Sequence, residues 1–129
     1  MAAVPAAKIL IVDDDKTFTT MAGSLLRATG YGTIVAFDAM QGFMFAQREA
    51  PALVLLDLSM PAGGGMQLLD KLQHSSRTQN IPVIIVTGTG GPAVDADAKA
   101  KGVAAVLKKP IDSKALVELV KQVLAGQTT

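Results

Sequence analysis

The segment from Leu53 to Pro61 has the sequence LVLLDLSMP, and its first half decides the fold. Four branched apolar residues in succession predict a strand that is buried on both faces, which is typical of parallel sheets. Asp57 follows this run directly. A buried carboxylate without a partner is costly, whereas one at the end of a strand can lie in the crevice where open α/β sheets bind ligands. The segment therefore predicts a parallel sheet with an acidic residue at its carboxyl edge.

The same pattern occurs near the start of the chain. An apolar strand predicted over residues 8–12 is followed by Asp13, Asp14 and Asp15. The position of Asp15, just before a helical pattern, is also typical of a helix N-cap. Two apolar strands that both end in acidic residues predict one acidic pocket.

Short apolar runs alternate with helical patterns along the whole chain. The predicted strands cover residues 8–12, 33–36, 52–56, 82–86 and 103–107. A helix is predicted after each strand, and the first helix carries an apolar stripe of Phe18, Met21, Ala22, Leu25 and Leu26. This alternation predicts an α/β fold, a doubly wound five-stranded parallel sheet with helices on both faces and right-handed crossovers. Periodicity alone leaves the strand order open.

Composition limits the class of protein. The chain has 129 residues, half of them apolar, and we expect one domain over residues 8–125 with tails at 1–7 and 126–129. It has no cysteine, which excludes disulfides and thiol chemistry. With a net charge of +1 and no long basic run, it lacks the usual features of a nucleic-acid-binding protein. No signal peptide or membrane span is recognisable, so we expect a cytoplasmic protein.

Candidate functional residues fall at or just after the carboxyl ends of four predicted strands. They are Asp13, Asp14, Asp57, Thr87 and Lys109. Three converging carboxylates repel one another unless a cation neutralises them, and oxygen ligands without histidine or cysteine favour Mg²⁺. A carboxylate can also act as a nucleophile toward phosphorus, with a metal, a lysine and a hydroxyl group stabilising the transferred charge. This set of residues therefore predicts reversible phosphoryl capture.

Four motifs carry a family resemblance. They are IVDDD at residues 11–15, LLDLSMP at 55–61, VTG at 86–88 and KKP at 108–110. In this order and at these separations, the chain resembles a response-regulator receiver domain of two-component signalling, close in size to the single-domain chemotaxis regulator. The resemblance covers residues 8–124. It implies the flavodoxin-like fold with strand order 2-1-3-4-5.

The resemblance also implies a role for each motif residue. Asp57 would be the phosphoacceptor, phosphorylated by a sensor histidine kinase or a histidine phosphotransfer protein. Mg²⁺ would be bound by the side chains of Asp14 and Asp57 and the backbone carbonyl of Ser59, with Asp13 acting mainly through water. Lys109 would contact the phosphoryl oxygens.

Three further expectations follow from the resemblance. Thr87 would donate its hydroxyl group to the phosphoryl oxygens, and the Lys109–Pro110 peptide bond would be cis. Phosphorylation would alter the face formed by the fourth helix, fifth strand and fifth helix, and the signal would pass by contact with a downstream protein. The chain would not be a turnover enzyme, would not bind nucleic acid directly and would not insert into a membrane. It would be either a stand-alone regulator or a fragment of a larger one.

The sequence departs from the family pattern at several positions. Val106 stands where receivers usually have an aromatic residue that moves with the threonine. Glycine-rich segments at 62–65 and 87–91 predict pliable loops that could allow movement without that aromatic residue. Ser59 and Thr89, at positions that tune the phosphoryl lifetime in the family, favour slow or intermediate hydrolysis. The alternative is a pseudo-receiver that binds partners without being phosphorylated.

Three other residues have a surface interpretation. Lys108 is predicted to be a solvated cation on the opposite side of the strand end from Lys109. Met40 and Met44 lie one helical turn apart, and form either an adaptable partner patch or ordinary scattered apolar residues on a surface.

Overall fold

The computed structural model describes residues 7–61, 64–88 and 91–126, in which strands alternate with helices along the chain. The strands are β1 (Lys8–Val12), β2 (Gly32–Ala36), β3 (Leu53–Leu56), β4 (Val83–Thr87) and β5 (Ala105–Lys108). The helices are α1 (Lys16–Ala28), α2 (Ala39–Glu49), α3 (Gly64–His74), α4 (Pro92–Ala100) and α5 (Ser113–Gly126). The predicted alternation is therefore confirmed.

The five strands form one parallel sheet in the order β2-β1-β3-β4-β5. The predicted α/β class and the doubly wound, flavodoxin-like order are thus confirmed. At the carboxyl edge, Val12 is paired with both Ala36 and Leu56. The Asp57 amide donates to the Val12 carbonyl at 3.0 Å. This register brings the residues that follow β1 and β3 to the same level of the sheet.

Six of the ten predicted strand boundaries were wrong by one or two residues. β2 begins one residue earlier than predicted, β3 and β4 begin one residue later, and β5 ends one residue later, at Lys108. β4 ends at Thr87 instead of residue 86, because Thr87 still pairs with Lys108 in the ladder. β5 begins at Ala105 instead of residue 103. Gly102, with a φ of 86°, forms the turn after α4, and the strand pairing begins only where Ala105 lies opposite Ile84.

The core lies on both faces of the sheet, because successive strand residues point to opposite sides. One face packs mainly against α2 and α3, and its buried strand residues are Leu10, Val12, Ala36, Val54, Leu56, Val83 and Ile85. The other packs mainly against α1 and α5, and its buried strand residues are Ile9, Ile11, Leu53, Leu55, Ile84 and Val86. Both faces are covered, as the continuous apolar strands predicted.

The predicted apolar stripe of α1 was wrong at one position. Phe18, Ala22 and Leu26 are buried at intervals of four residues, and Leu25 is partly buried. Met21 is 37% exposed, because it faces a groove shared with Pro110 instead of the sheet.

Local hydrogen bonds fix where the helices start. Asp15 is the N-cap of α1, and its side chain accepts from the amides of Thr17 and Phe18. Asp38 caps α2 in the same way by accepting from the Gln41 amide at 2.7 Å. These caps determine how α1 and α2 leave the carboxyl edge of the sheet.

The start of α3 is packed very closely against the chain that follows β3. A Cβ atom on Gly65 would lie 2.4 Å from the Asp57 carbonyl oxygen and 2.6 Å from the Leu58 Cα atom. Gly64 and Gly65 are buried and helical, so this half of the expected pliable loop is instead part of α3. Of the second expected loop, Thr87 belongs to β4. Residues 62, 63, 89 and 90 of the two segments lie outside the described residues, as do 1–6 and 127–129 of the predicted tails.

Within the described ranges, no helix combines the length and the apolar composition that crossing a bilayer requires.

Candidate functional site

The predicted site residues lie together at the carboxyl edge of the sheet. Asp13 directly follows β1, Asp57 directly follows β3, Thr87 ends β4 and Lys109 directly follows β5. Asp13, Asp57 and Thr87 are buried, whereas Asp14 is exposed. The backbone joins the last two strands here, since the Lys109 amide donates to the Thr87 carbonyl at 3.0 Å. The Lys109–Pro110 peptide bond is cis, as the resemblance implied.

Three carboxylates form an acidic cluster at this edge. One oxygen each from Asp13, Asp14 and Asp57 can be chosen so that all three lie within 4.8 Å of one another. Carboxylates this close repel one another, and a divalent cation would relieve that repulsion. Asp14 gives the cluster an open side because it is exposed.

Lys109 provides the positive charge that faces this cluster. Its ammonium nitrogen lies 2.6 Å from Asp13 Oδ2 and 3.7 Å from Asp57 Oδ2. Burial acts to lower the pKa of Lys109, but the hydrogen bond to Asp13 and the charges of both carboxylates outweigh it and raise the pKa. Lys109 therefore remains a cation at neutral pH.

Asp13 is the carboxyl group whose protonation is most perturbed. Burial raises the pKa of Asp13 to about 6, although the hydrogen bonds from Lys109 and from the Asp15 amide act in the opposite direction. The negative charge of Asp57 adds to the increase. Its two oxygens are both engaged, Oδ2 by Lys109 and Oδ1 by the Asp15 amide at 2.9 Å.

Asp57 is held in the ionised form. Burial acts to raise the pKa of Asp57, but hydrogen bonds from the Ser59 amide and hydroxyl, the charge of Lys109 and the Thr87 hydroxyl together lower it. The Ser59 amide lies 2.9 Å from Oδ1, and the Ser59 hydroxyl lies 2.7 and 2.8 Å from Oδ1 and Oδ2. An ionised carboxylate with an adjacent cation has the properties of a nucleophile for phosphoryl transfer.

The neighbouring residues Lys108 and Lys109 point in different directions. Lys108 is exposed and its ammonium group lies 2.7 Å from Asp95 Oδ1 on α4. This agrees with the predicted position of Lys108 on the opposite side from the acidic cluster. Val106, between these residues and the sheet centre, is partly buried and packs on the α2–α3 side of the core.

The two methionines on α2 are exposed, Met40 at 83% and Met44 at 41%. Phe37, just before α2, is also 41% exposed. Whether they form a partner patch or ordinary surface stays a prediction.

Sequence reasoning missed two residues near the site. The Lys109 ammonium group lies 4.6 Å from the centre of the Phe18 ring, a residue predicted only as core. The spacing after the Asp15 cap could have indicated that Phe18 lies on the first turn of α1, near the carboxyl edge. Asp95, the partner of Lys108, gave no signal because the pairing of two exposed side chains on α4 and β5 leaves no trace in the apolar pattern of the sequence.

A parallel sheet in this order, with an acidic cluster, a hydroxyl group and a lysine at its carboxyl edge, defines a receiver domain. The chain belongs to the response regulator receiver domain family, whose model matches residues 9–121. Among curated proteins, it is 35% identical over 120 residues to Protein PilH of Pseudomonas aeruginosa, covering 93% of this chain and 99% of PilH. It is 32% identical over 120 residues to Response regulator Rre1 of Synechocystis, covering 92% of this chain and 52% of Rre1.

Solved structures include similar folds. The CheY-like response regulator receiver domain protein from Methanospirillum hungatei superimposes with a TM-score of 0.88 at 28% identity. The match covers 95% of this chain and 97% of that one. The chain thus spans nearly all of PilH and of this structure, but only about half of Rre1.

Proposed function

We propose that Asp57 accepts a phosphoryl group from a histidine kinase or a histidine phosphotransfer protein, in a reaction that depends on Mg²⁺. The observation that carries this proposal is the convergence of Asp57 with two further carboxylates, Lys109 and Thr87 at one edge of the sheet. The phosphorylated domain then signals by contact with another protein. Phosphorylation by a kinase draws on the nucleotide pool of the cytoplasm, which is therefore the proposed compartment.

The proposed chemistry begins with the ionised carboxylate of Asp57. One of its oxygens attacks phosphorus, an O–P bond forms, and the N–P bond of the phosphohistidine breaks. The electron pair of that bond stays on the imidazole nitrogen, and because the other ring nitrogen carries a proton, histidine leaves as the neutral imidazole. The lowered pKa of Asp57 supports this role, because the carboxylate is already ionised when the donor arrives.

The donor set fits Mg²⁺, since it consists of carboxylate oxygens with one exposed member. Asp14, Asp57 and the Ser59 carbonyl would hold the ion directly. When bound, Mg²⁺ neutralises charge on the phosphoryl oxygens and on the carboxylates. Both oxygens of Asp13 are engaged, by Lys109 and by the Asp15 amide. Asp13 is therefore suited to contact Mg²⁺ mainly through water, as the resemblance implied.

Two further side chains would stabilise the transferred group. Lys109 lies 3.7 Å from Asp57 Oδ2, close enough to reach oxygens attached there after a small movement. The Thr87 hydroxyl already donates to the Asp57 carboxylate and can transfer that hydrogen bond to a phosphoryl oxygen. Fixed donors at the place where charge develops are a main source of rate enhancement in phosphoryl transfer.

The chain would be a phosphoacceptor that promotes its own phosphorylation and dephosphorylation, not a turnover enzyme. Phosphatases that use an aspartate nucleophile with Mg²⁺ need a second acid two residues after it, and Ser59 stands at that position in this chain. The pseudo-receiver alternative has no observation in its favour, because the acceptor, the lysine and the threonine are all present and brought together.

The test is intact-mass measurement after incubation with phosphoramidate, with and without Mg²⁺. We expect one phosphoryl adduct that requires Mg²⁺ and is absent from Asp57→Asn. Asp70→Asn, which changes an exposed carboxylate on α3, is the matched control and should be phosphorylated normally. No adduct on the folded native protein, or an undiminished adduct on Asp57→Asn, would overturn the proposal.

A further inference from the structure

The ammonium group of Lys109 has an aromatic neighbour as well as acidic ones. It lies 4.6 Å from the centre of the Phe18 ring, while only 20% of the Lys109 side chain is exposed. A cation within about 6 Å of a ring centre is attracted to the face of that ring, and the attraction is stronger where water is excluded. The ring therefore contributes to holding the cation at the site.

The position of Phe18 is itself fixed by the residues around it. Its side chain is nearly buried in the apolar cluster on the α1–α5 side of the sheet. Its amide donates to Asp15 Oδ1 at 3.2 Å, as part of the N-cap of α1. A residue held both by the core and by a helix cap presents its ring in one place. Phe18 can thus define where the Lys109 ammonium group lies.

The Phe18 ring and the acidic residues constrain the position of the Lys109 ammonium group in different ways. Lys109 is 2.6 Å from Asp13 but 3.7 Å from Asp57, so its contact with a group attached to Asp57 requires a shift away from Asp13. A hydrogen bond to a carboxylate oxygen is directional, whereas attraction to a ring face is spread over the ring. The ammonium group can therefore keep its contact with Phe18 while it exchanges one oxygen partner for another.

We propose that Phe18 is a positioning residue for Lys109, which keeps the ammonium group beside Asp57 as it moves from Asp13 to the phosphoryl group. This inference rests on the proposed function and deepens it. In this role Phe18 would act through Lys109 and would not itself contact the phosphoryl group or the metal ion.

The test replaces Phe18 with phenylalanines carrying one, two and three ring fluorines. Fluorination weakens the attraction of the ring for a cation and changes its shape very little. The measured quantity is the affinity for beryllofluoride in Mg²⁺, a stable phosphoryl mimic. We expect a graded loss that reaches about threefold to tenfold with three fluorines, in the range of a partly desolvated cation–π contact.

Two controls separate positioning from packing. The same fluorinated series at Phe45, which packs on the opposite face of the sheet, should leave the affinity unchanged. In a Lys109→Met background, fluorination of Phe18 should likewise leave the affinity for beryllofluoride unchanged. The role of Phe18 would be overturned if fluorination of Phe18 left the affinity of the otherwise native protein unchanged. It would also be overturned if the loss of affinity per fluorine were the same in Lys109→Met.

A second measurement does not depend on phosphoryl chemistry. In NMR spectra, the ε-methylene protons of Lys109 should be shifted upfield by the Phe18 ring, and Phe18→Leu should remove that shift. Absence of the shift would refute the contact. Failure of the native protein to bind beryllofluoride would refute the proposed function, whereas binding with a flat fluorine series would refute only the role of Phe18.

Discussion

Gly65→Ala offers a sharp test of how the acceptor residue is held. The added Cβ would lie 2.4 Å from the Asp57 carbonyl oxygen, 2.6 Å from Leu58 Cα and 3.1 Å from Leu58 C. All three are backbone atoms, so no side chain can rotate to make room. Either α3 or the segment that carries Asp57 must move.

The expected size of the effect follows from two opposing contributions. Overpacking typically destabilises by about 1–3 kcal/mol. Replacing glycine by alanine within a helix raises the free energy of unfolding by up to about 1 kcal/mol, because alanine has the higher helix propensity. Because a contact of 2.4 Å with a backbone atom belongs to the upper part of the overpacking range, we expect Gly65→Ala to lower the free energy of unfolding by about 1–2 kcal/mol, with a slower reaction at the displaced Asp57.

Gly64→Ala is the matched control for this prediction. It changes the preceding residue of the same helical turn, where a Cβ would lie 3.5 Å from Ala39 Cβ and 4.0 Å from Met60 Cβ, which is ordinary contact. It should be neutral or slightly stabilising. Urea unfolding and the rate of phosphoramidate labelling are the assays. If Gly65→Ala were as stable and as quickly labelled as Gly64→Ala, the close approach of α3 would not constrain the site.

Three other predictions concern charge and hydrogen bonding. Because the pKa of Asp13 rises from 3.8 in the unfolded chain to about 6, the metal-free native state keeps a proton that the unfolded state loses. Stability should therefore fall, by up to about 3 kcal/mol, as pH rises from about 4 to 6, and urea titrations of Asp13→Asn should lack that fall. Ser59→Ala removes the hydroxyl that donates to Asp57, so ¹³C NMR should give a higher pKa for the Asp57 carboxyl; an unchanged value would contradict the hydrogen bond. Lys108→Ala breaks an exposed ion pair with Asp95, so it should cost no more than about 1 kcal/mol, less at high salt, and a larger loss would mean additional contacts.

The sequence contained enough information for the fold and for the grouping of the site residues. Apolar strands that end in Asp13 and Asp57 had to place both acids at one edge, because the carboxyl ends of parallel strands lie together. The strand order came only from the family resemblance, since periodicity reports which residues are buried and not which strands are neighbours. The roles of the individual site residues remain predictions.

What the sequence could not reveal depends on distances between elements far apart in the chain. Phe18 belongs to an apolar stripe, and nothing in that stripe indicates that a lysine more than ninety residues later lies over its ring. Met21 belongs to the same stripe but is exposed, because the groove beside Pro110 leaves that edge of α1 uncovered. Such details are set by how helices and loops pack after the sheet is formed.

The two adjacent lysines at the end of β5 serve opposite sides of the sheet edge. Lys109 reaches the acidic cluster and Lys108 reaches Asp95 on α4. Lys108 and Lys109 are joined by one peptide bond. A rotation of that peptide unit that displaces the Lys109 ammonium group therefore also displaces the Lys108 ammonium group. The peptide unit between the two lysines and the Lys108–Asp95 ion pair thus give one route from helix α4 to the acceptor site that contains no large apolar or aromatic side chain.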